Sequence, residues 1–193
     1  MKTLAFVVVL TLGLADCFAQ EEEVNIPWTP GFKLKWKDFQ GSKNGPSWAL
    51  ATTCASIDVK SSYVDDSLTF RVTNNFIANL SFFDHTAIDR FGDSLPDLLS
   101  HEQLHFDIAE LHTRIMRKSL LEVTSWDTFD LELYESKIES VYDLRNKMDS
   151  LYDRETANGL LKTNQEEWGN KIQSLLLELE TFYESNEIAA PKQ

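Results

Sequence analysis

Near Asp84 the hydrophobic pattern of the chain changes period, and that change constrains the fold more than any other feature. Before it, apolar residues alternate with polar ones in short runs broken by Gly, Asn and Asp. After it, they recur at three- and four-residue intervals over long stretches. A period of two places alternate side chains on one face of a strand, whereas a period near 3.6 draws a stripe along a helix. The expected class is therefore α+β, an N-terminal antiparallel β-sheet followed by three main α-helices.

Four segments read as strands: Lys33 to Phe39 (KLKWKDF), Ala49 to Val59, Leu68 to Val72, and Phe76 to Phe83. Asp65-Asp66 and Asn74-Asn75 read as turns between them, and 41–46 (GSKNGP) as a loop. Pro96-Asp97 can open a helix, and Leu98 to Leu121 contains neither Gly nor Pro. A second helix is expected from Phe129-Asp130, with Leu131, Tyr134, Ile138, Val141, Met148 and Tyr152 on one stripe. A third runs to about Tyr183, with Trp168, Ile172, Leu175, Leu179 and Phe182 aligned, and Gly159 separates the two. These last two are expected to pack as an antiparallel pair.

The first residues call for a separate reading. Met1-Lys2-Thr3 is positive, and the apolar run Leu4 to Leu14 is shorter than the roughly 20 residues of a bilayer span. It reads as a signal peptide cleaved after Ala19. Lipid attachment at Cys17 is the less favoured alternative, because Asp16 stands where such signals prefer a small neutral residue. The expected plan is a signal peptide (1–19), an extended lead-in (20–31), a single domain (32–184) and a C-terminal tail (185–193). The product would be exported, periplasmic or extracellular, with no transmembrane segment once the signal is removed. Cys17 and Cys54 are the only cysteines, so no internal disulfide framework is expected, and stability must come from a core or a bound metal. A net charge of −13 with no cluster of Lys or Arg argues against nucleic acid and anionic membranes as partners.

The residues that point to chemistry are His101-Glu102-Gln103-Leu104-His105, a His-Glu-x-x-His pattern inside the first predicted helix. Each helical residue advances about 100°, so His101 and His105 lie about 40° apart and one turn along the axis. Two imidazoles so placed can reach one zinc at roughly 2.1 Å. Glu102 would stand beside the metal as general base toward a zinc-bound water, the equipment for peptide-bond hydrolysis. Two histidines at this spacing can also be ordinary core or surface residues, so the metal needs a third protein ligand. His112 lies about 10 Å beyond His105 along the axis, and Glu110 faces about 180° away from His101. Both read as structural, Glu110 as the i+4 partner of Arg114.

The stretch from Leu98 to Glu110 resembles the signature helix of a bacterial family of secreted proteins of unknown function that are described as zinc-dependent proteases. Leu34-Lys35-Trp36-Lys37-Asp38-Phe39-Gln40-Gly41 is similar to that family's N-terminal Leu-x-Trp-x-Asp-Phe-x-Gly element, and Ala51-Thr52-Thr53 to the Ala-Thr that follows it. Tyr152-Asp153-Arg154-Glu155-Thr156, with Gln165 and Trp168 downstream, is similar to its C-terminal element. The resemblance implies a zincin-like helix, a single metallopeptidase-like domain and a histidine as third ligand just after the Tyr-Asp-x-x-Thr element. Here Ala157-Asn158-Gly159 stands there, and an amide is a poor zinc ligand.

Asp153 and Glu155 are the carboxylates that could take over as third ligand, or they could cap or solvate a helix end. Tyr152 could donate to an oxyanion but also lies on the apolar stripe. Asp107 could orient a ligating histidine or pair with a cation. His85 has no partner at metal spacing. Asn79-Leu80-Ser81 is a glycosylation sequon within a predicted strand, and Trp28, Trp36, Trp48, Trp126 and Trp168 read as core. The leading expectation is an exported zinc metallopeptidase, a hydrolase of peptide or protein substrates, with His101 and His105 on zinc and Glu102 as base. The alternative is a non-catalytic relative, a secreted binding or structural module, which Asn158 favours.

Overall fold

The computed structural model describes residues 23–43, 45, 48–64, 67–92, 95–123, 130–183 and 187–189. The expected signal peptide with Cys17, the Asp65-Asp66 turn, Trp126, Phe129 and part of the expected tail lie outside the described residues. The elements are β1 (Asn25–Pro27), β2 (Ala51–Thr52), β3 (Ala55–Val64), β4 (Ser67–Ile77), β5 (Phe82–Phe83), α1 (Ala87–Phe91), α2 (Leu95–Leu120), α3 (Leu131–Thr156), α4 (Lys162–Glu178) and β6 (Glu187–Ala189). The fold is α+β, an antiparallel sheet followed by three main helices.

Strand β4 is the centre of the sheet. It pairs with β3 from Ser67 to Phe76, and its other edge carries β1 at one end and β6 at the other, all antiparallel. Leu68, Phe70, Val72 and Phe76 point inward at period two and are buried. Asn74-Asn75, expected as a turn, lies inside β4. Asn74 falls on the inward face, where its Nδ2 donates to the Phe106 carbonyl at 3.3 Å, and Asn75 faces outward to Asp58 Oδ2 at 3.0 Å. Each side-chain amide nitrogen finds an acceptor across the sheet or on the helix, so the strand need not break.

The expected strand at Lys33 to Phe39 is also corrected, because Trp36–Asp38 is a single 3₁₀ turn. Asp38 Oδ2 accepts from the Lys35 amide at 2.8 Å and holds the turn closed. The turn still buries the apolar positions: Trp36 stacks on Phe83 with centroids 3.9 Å apart, and Phe39 meets Phe76 edge-on at 5.0 Å. Gly41 then passes so close to the backbone that an added Cβ would sit 2.8 Å from the Asn79 carbonyl oxygen. The expected strand Phe76 to Phe83 splits at a 3₁₀ turn, Ala78–Leu80, which holds the first two residues of the sequon, with Ser81 as its C-cap.

Helix α2 runs through the middle of the molecule. Phe106 and Met116 pack on the sheet side, while Leu104, Ile108 and Leu111 pack with Tyr152, Trp168 and Ile172. Helix α3 is antiparallel to α2, since Tyr152 meets His101 while Val141 shares a cluster with Met116 and Leu120. Helix α4 is parallel to α2: Gln165 bonds the Asp97 carbonyl at one end and Arg114 bonds the Leu176 carbonyl at the other. The two later helices are thus antiparallel to each other, as expected. Leu131, expected on the buried stripe, is 57% exposed.

Asp130 caps α3, its carboxylate accepting from the Leu133 amide at 3.1 Å. Asp130→Ala is expected to lower stability by about 1 kcal/mol, read as an earlier urea midpoint at unchanged m-value. An unmoved midpoint would show that the cap contributes nothing. Among the described residues no helix is long and apolar enough to cross a membrane.

Candidate metal centre

A helix buried on all sides must pair its polar groups within the protein. Around α2 the pairing is nearly complete. Glu110 bonds Arg114 Nε at 3.0 Å and lies 3.5 Å from Arg117, and the His112 Nδ1–H donates to the Ile108 carbonyl at 2.8 Å. Burial lowers the His112 pKa, so this ring is neutral and structural. Asp107 accepts from Trp28 Nε1 at 2.8 Å and Gln103 Nε2 at 3.0 Å, while Gln103 Oε1 accepts from the Leu34 amide. Asp107 therefore ties the N-terminal segment to α2 and orients no histidine.

His101 and His105 project together toward the last turns of α3. His101 Nε2 lies 3.2 Å from Asp153 Oδ1, His105 Nε2 lies 3.0 Å from the same oxygen, and the two Nε2 atoms are 3.2 Å apart. Ligand atoms at about 2.1 Å from a tetrahedral metal stand about 3.4 Å from each other. An ion therefore fits this triangle after shifts of a few tenths of an ångström, and these residues form a group that could hold a metal ion. His101 is almost fully covered, its side chain 4% exposed, while the Asp153 side chain is 42% exposed and marks the open side.

The His101 ring is held by packing. Tyr152 stacks on it with centroids 4.6 Å apart, and a Cβ added to Gly159 (φ +84°) would come within 3.1 Å of His101 Cγ. Tyr152 is fully buried and its hydroxyl donates to the His101 carbonyl at 3.4 Å, so it is a core residue here. His105 is held by a hydrogen bond, with Asp149 Oδ1 2.9 Å from its Nδ1, and Arg145 Nε stands 3.3 Å from the other Asp149 oxygen as an ion-pair neighbour. Burial opposes a charge on His105, but the bonds to Asp149 and Asp153 and the nearby Glu102 carboxylate outweigh it, and its pKa is pushed up to about 10. Asp153 moves the other way. Burial again opposes ionisation, yet the two imidazoles hold its carboxyl well below the usual carboxylate range.

Glu102 is 3% exposed and its Oε2 accepts from Thr53 Oγ1 at 2.7 Å. Thr53 Oγ1 also lies 3.2 Å from the Glu102 carbonyl oxygen, and this shared contact joins the segment after β2 to the histidine turn of α2.

Of the two carboxylates expected as third ligand, Asp153 joins the histidines and Glu155 does not. Glu155 faces the next helix and accepts from Trp168 Nε1 at 2.9 Å. Asn158 is exposed and lies in the left-handed region at φ 53°, where its backbone N–H donates to the Asp153 carbonyl at 2.8 Å and closes the C-terminus of α3. His85 is exposed beside Phe83. Asp149 and Thr53 are the residues that sequence reasoning missed. Asp149 carried a usable signal, because it lies four residues before Asp153 and so on the same helix face. A cavity of about 830 Å³, lined by Trp28, Leu34, Gln103 and Gln165 among others, contains none of His101, His105 and Asp153.

Among known proteins, no family model, no curated protein and no solved structure matches the chain.

Proposed function

We propose that the protein is an exported zinc-dependent metallopeptidase in which His101, His105 and Asp153 hold the metal and Glu102 is the general base. The observation that carries this reading is the convergence of two imidazoles and one carboxylate at 3.0–3.2 Å, with Glu102 on the same turn of α2. Two histidines and a carboxylate are a recognised catalytic zinc set. Iron(II) also uses such a set, so metal analysis is part of the test. Bound zinc would supply Lewis acidity, lowering the pKa of water and polarising a carbonyl.

The chain's own residues do the rest. Thr53 fixes one oxygen of Glu102, so the other can take a proton from water and pass it to the leaving amine. Asp153 and His105, the less covered members of the triad, define the side from which a peptide enters. The resemblance to a family of secreted proteins of unknown function that are described as zinc-dependent proteases supports the same reading, with Asp153 on α3 standing in for the histidine that Asn158 replaces. A non-catalytic binding module is the alternative, favoured by Asn158. It would hold metal and hydrolyse nothing.

The test is metal titration of the purified chain, expected to give about one zinc per molecule. Absence of zinc after reconstitution at micromolar metal would end the peptidase reading. The pH dependence has a definite sign. A metal needs His105 Nε2 unprotonated, and in the metal-free protein this ring keeps its proton up to about pH 10. Affinity should therefore climb as pH rises toward that value and level off above it. At pH 7.5 calorimetry in buffers of different ionisation enthalpy should find more than one proton released per metal, one from His105 and a further fraction from metal-bound water. Release of less than one would show that His105 is already neutral.

A further inference from the structure

The two histidines are oriented by different means. The Nδ1 of His101 is buried with no hydrogen-bond partner, and that ring is held between Tyr152 and the Gly159 backbone. His105 has no such sandwich. Its Nδ1 meets Asp149 Oδ1 at 2.9 Å, and Asp149 in turn stands near Arg145 at 3.3 Å. The spacing explains how this is possible: histidines at i and i+4 on α2 face aspartates at i and i+4 on the antiparallel α3. One aspartate reaches the Nε2 side of His105 and the other its Nδ1 side.

We propose that Asp149 is the positioning residue of the metal centre, accepting the Nδ1–H of His105 and so committing Nε2 to the metal. This rests on the metal reading given above. Asp149 could otherwise be only the i, i+4 partner of Arg145, a pair worth a few tenths of a kcal/mol on a helix surface. Its side chain is 20% exposed, however, and its shorter contact is to the imidazole, not the guanidinium. A carboxylate on the far nitrogen of a ligating imidazole fixes the tautomer and ring plane and makes the ligand more basic, and its loss typically weakens metal binding 10–100-fold. Arg145 Nε lies 3.3 Å from the second oxygen as an ion-pair neighbour without a formed hydrogen bond, so the imidazole is the carboxylate's main partner.

The experiment compares wild type, Asp149→Ala, Asp149→Asn and Arg145→Ala in the full chain. Zinc affinity is measured by competition with a chromophoric chelator, and histidine tautomers by nitrogen-15 spectra of the zinc-loaded proteins. Asp149→Ala should weaken zinc binding about 10–100-fold at unchanged stoichiometry and perturb the His105 Nδ1–H signal while that of His101 stays put. Asp149→Asn, which keeps an acceptor of the same shape, should fall between, and Arg145→Ala should lose less than Asp149→Ala. If Asp149→Ala does not fold, the near-isosteric Asn variant decides. Wild-type zinc binding with unchanged affinity in both Asp149 variants, or an unaltered His105 signal, would overturn this role alone. A wild-type chain that takes up no zinc would overturn the metal reading and this role together.

Discussion

Glu102→Gln is expected to keep its zinc and to lose about 10²–10⁴-fold in peptide hydrolysis. The substitution removes a base and nothing else of consequence. The amide has the shape of the carboxylate, its oxygen can still accept from Thr53 Oγ1, and His101, His105 and Asp153 are untouched. Loss should fall on kcat, with KM little changed, because Glu102 acts on the proton and not on the peptide. Metal content and turnover measured on the same preparation check this. Comparable loss of metal would show that Glu102 is a ligand or a structural support. A zinc-loaded wild type inactive on a broad peptide mixture, with Glu102→Gln no different, would establish the binding module in place of the enzyme.

The largest expected loss of stability comes from the opposite side of the same helix. Glu110 is 2% exposed and lies between Arg114 and Arg117, which are each 3% exposed. Burial pushes the Glu110 carboxyl up, while the two guanidinium groups work against that rise. Arg114 donates to the Leu176 carbonyl at 2.6 Å. Arg117 donates to the Val72 carbonyl at 2.7 Å and the Phe182 carbonyl at 2.9 Å. These bonds tie the end of α4 and the central strand to α2. Glu110→Ala leaves two buried cations without their anion, and breaking such a group costs about 3–5 kcal/mol. Urea unfolding of the metal-free protein checks the value. A loss under about 1 kcal/mol would mean that water reaches the guanidinium groups and the site is not dry. Glu110→Gln, which keeps shape and one acceptor, should lose less.

What could be read in advance divides by the range of the interaction. Helix α2 was legible because Leu98 to Leu121 has no breaker, and α3 because Asp130 opens an apolar stripe. The short strands were less so. Lys33 to Phe39 alternates like a strand, yet Asp38 folds it into a turn and Trp36 finds Phe83 from there. Asn74-Asn75 has turn chemistry, but β3 and Phe106 supply each amide a partner from elsewhere in the chain. In the first case one local signal, the Asp38 side chain, overrode another, and in the second local preference lost to contacts between residues far apart in sequence.

The candidate site shows the same division. The sequence by itself determined the spacing of His101, Glu102 and His105, because one helical turn places the two imidazoles together wherever the helix lies. It also offered Asp153 and Glu155 as candidates for a third ligand. Only the tertiary structure decided between them. They lie two residues apart on α3, about 200° around its axis, so one that faces α2 sends the other away, here to Trp168. The antiparallel docking of α3 on α2 made that choice and at the same time put Asp149 behind His105. Helical geometry is a property of neighbours in the chain, whereas docking is set by how Tyr152, Trp168 and Ile172 pack against Leu104, Ile108 and Leu111.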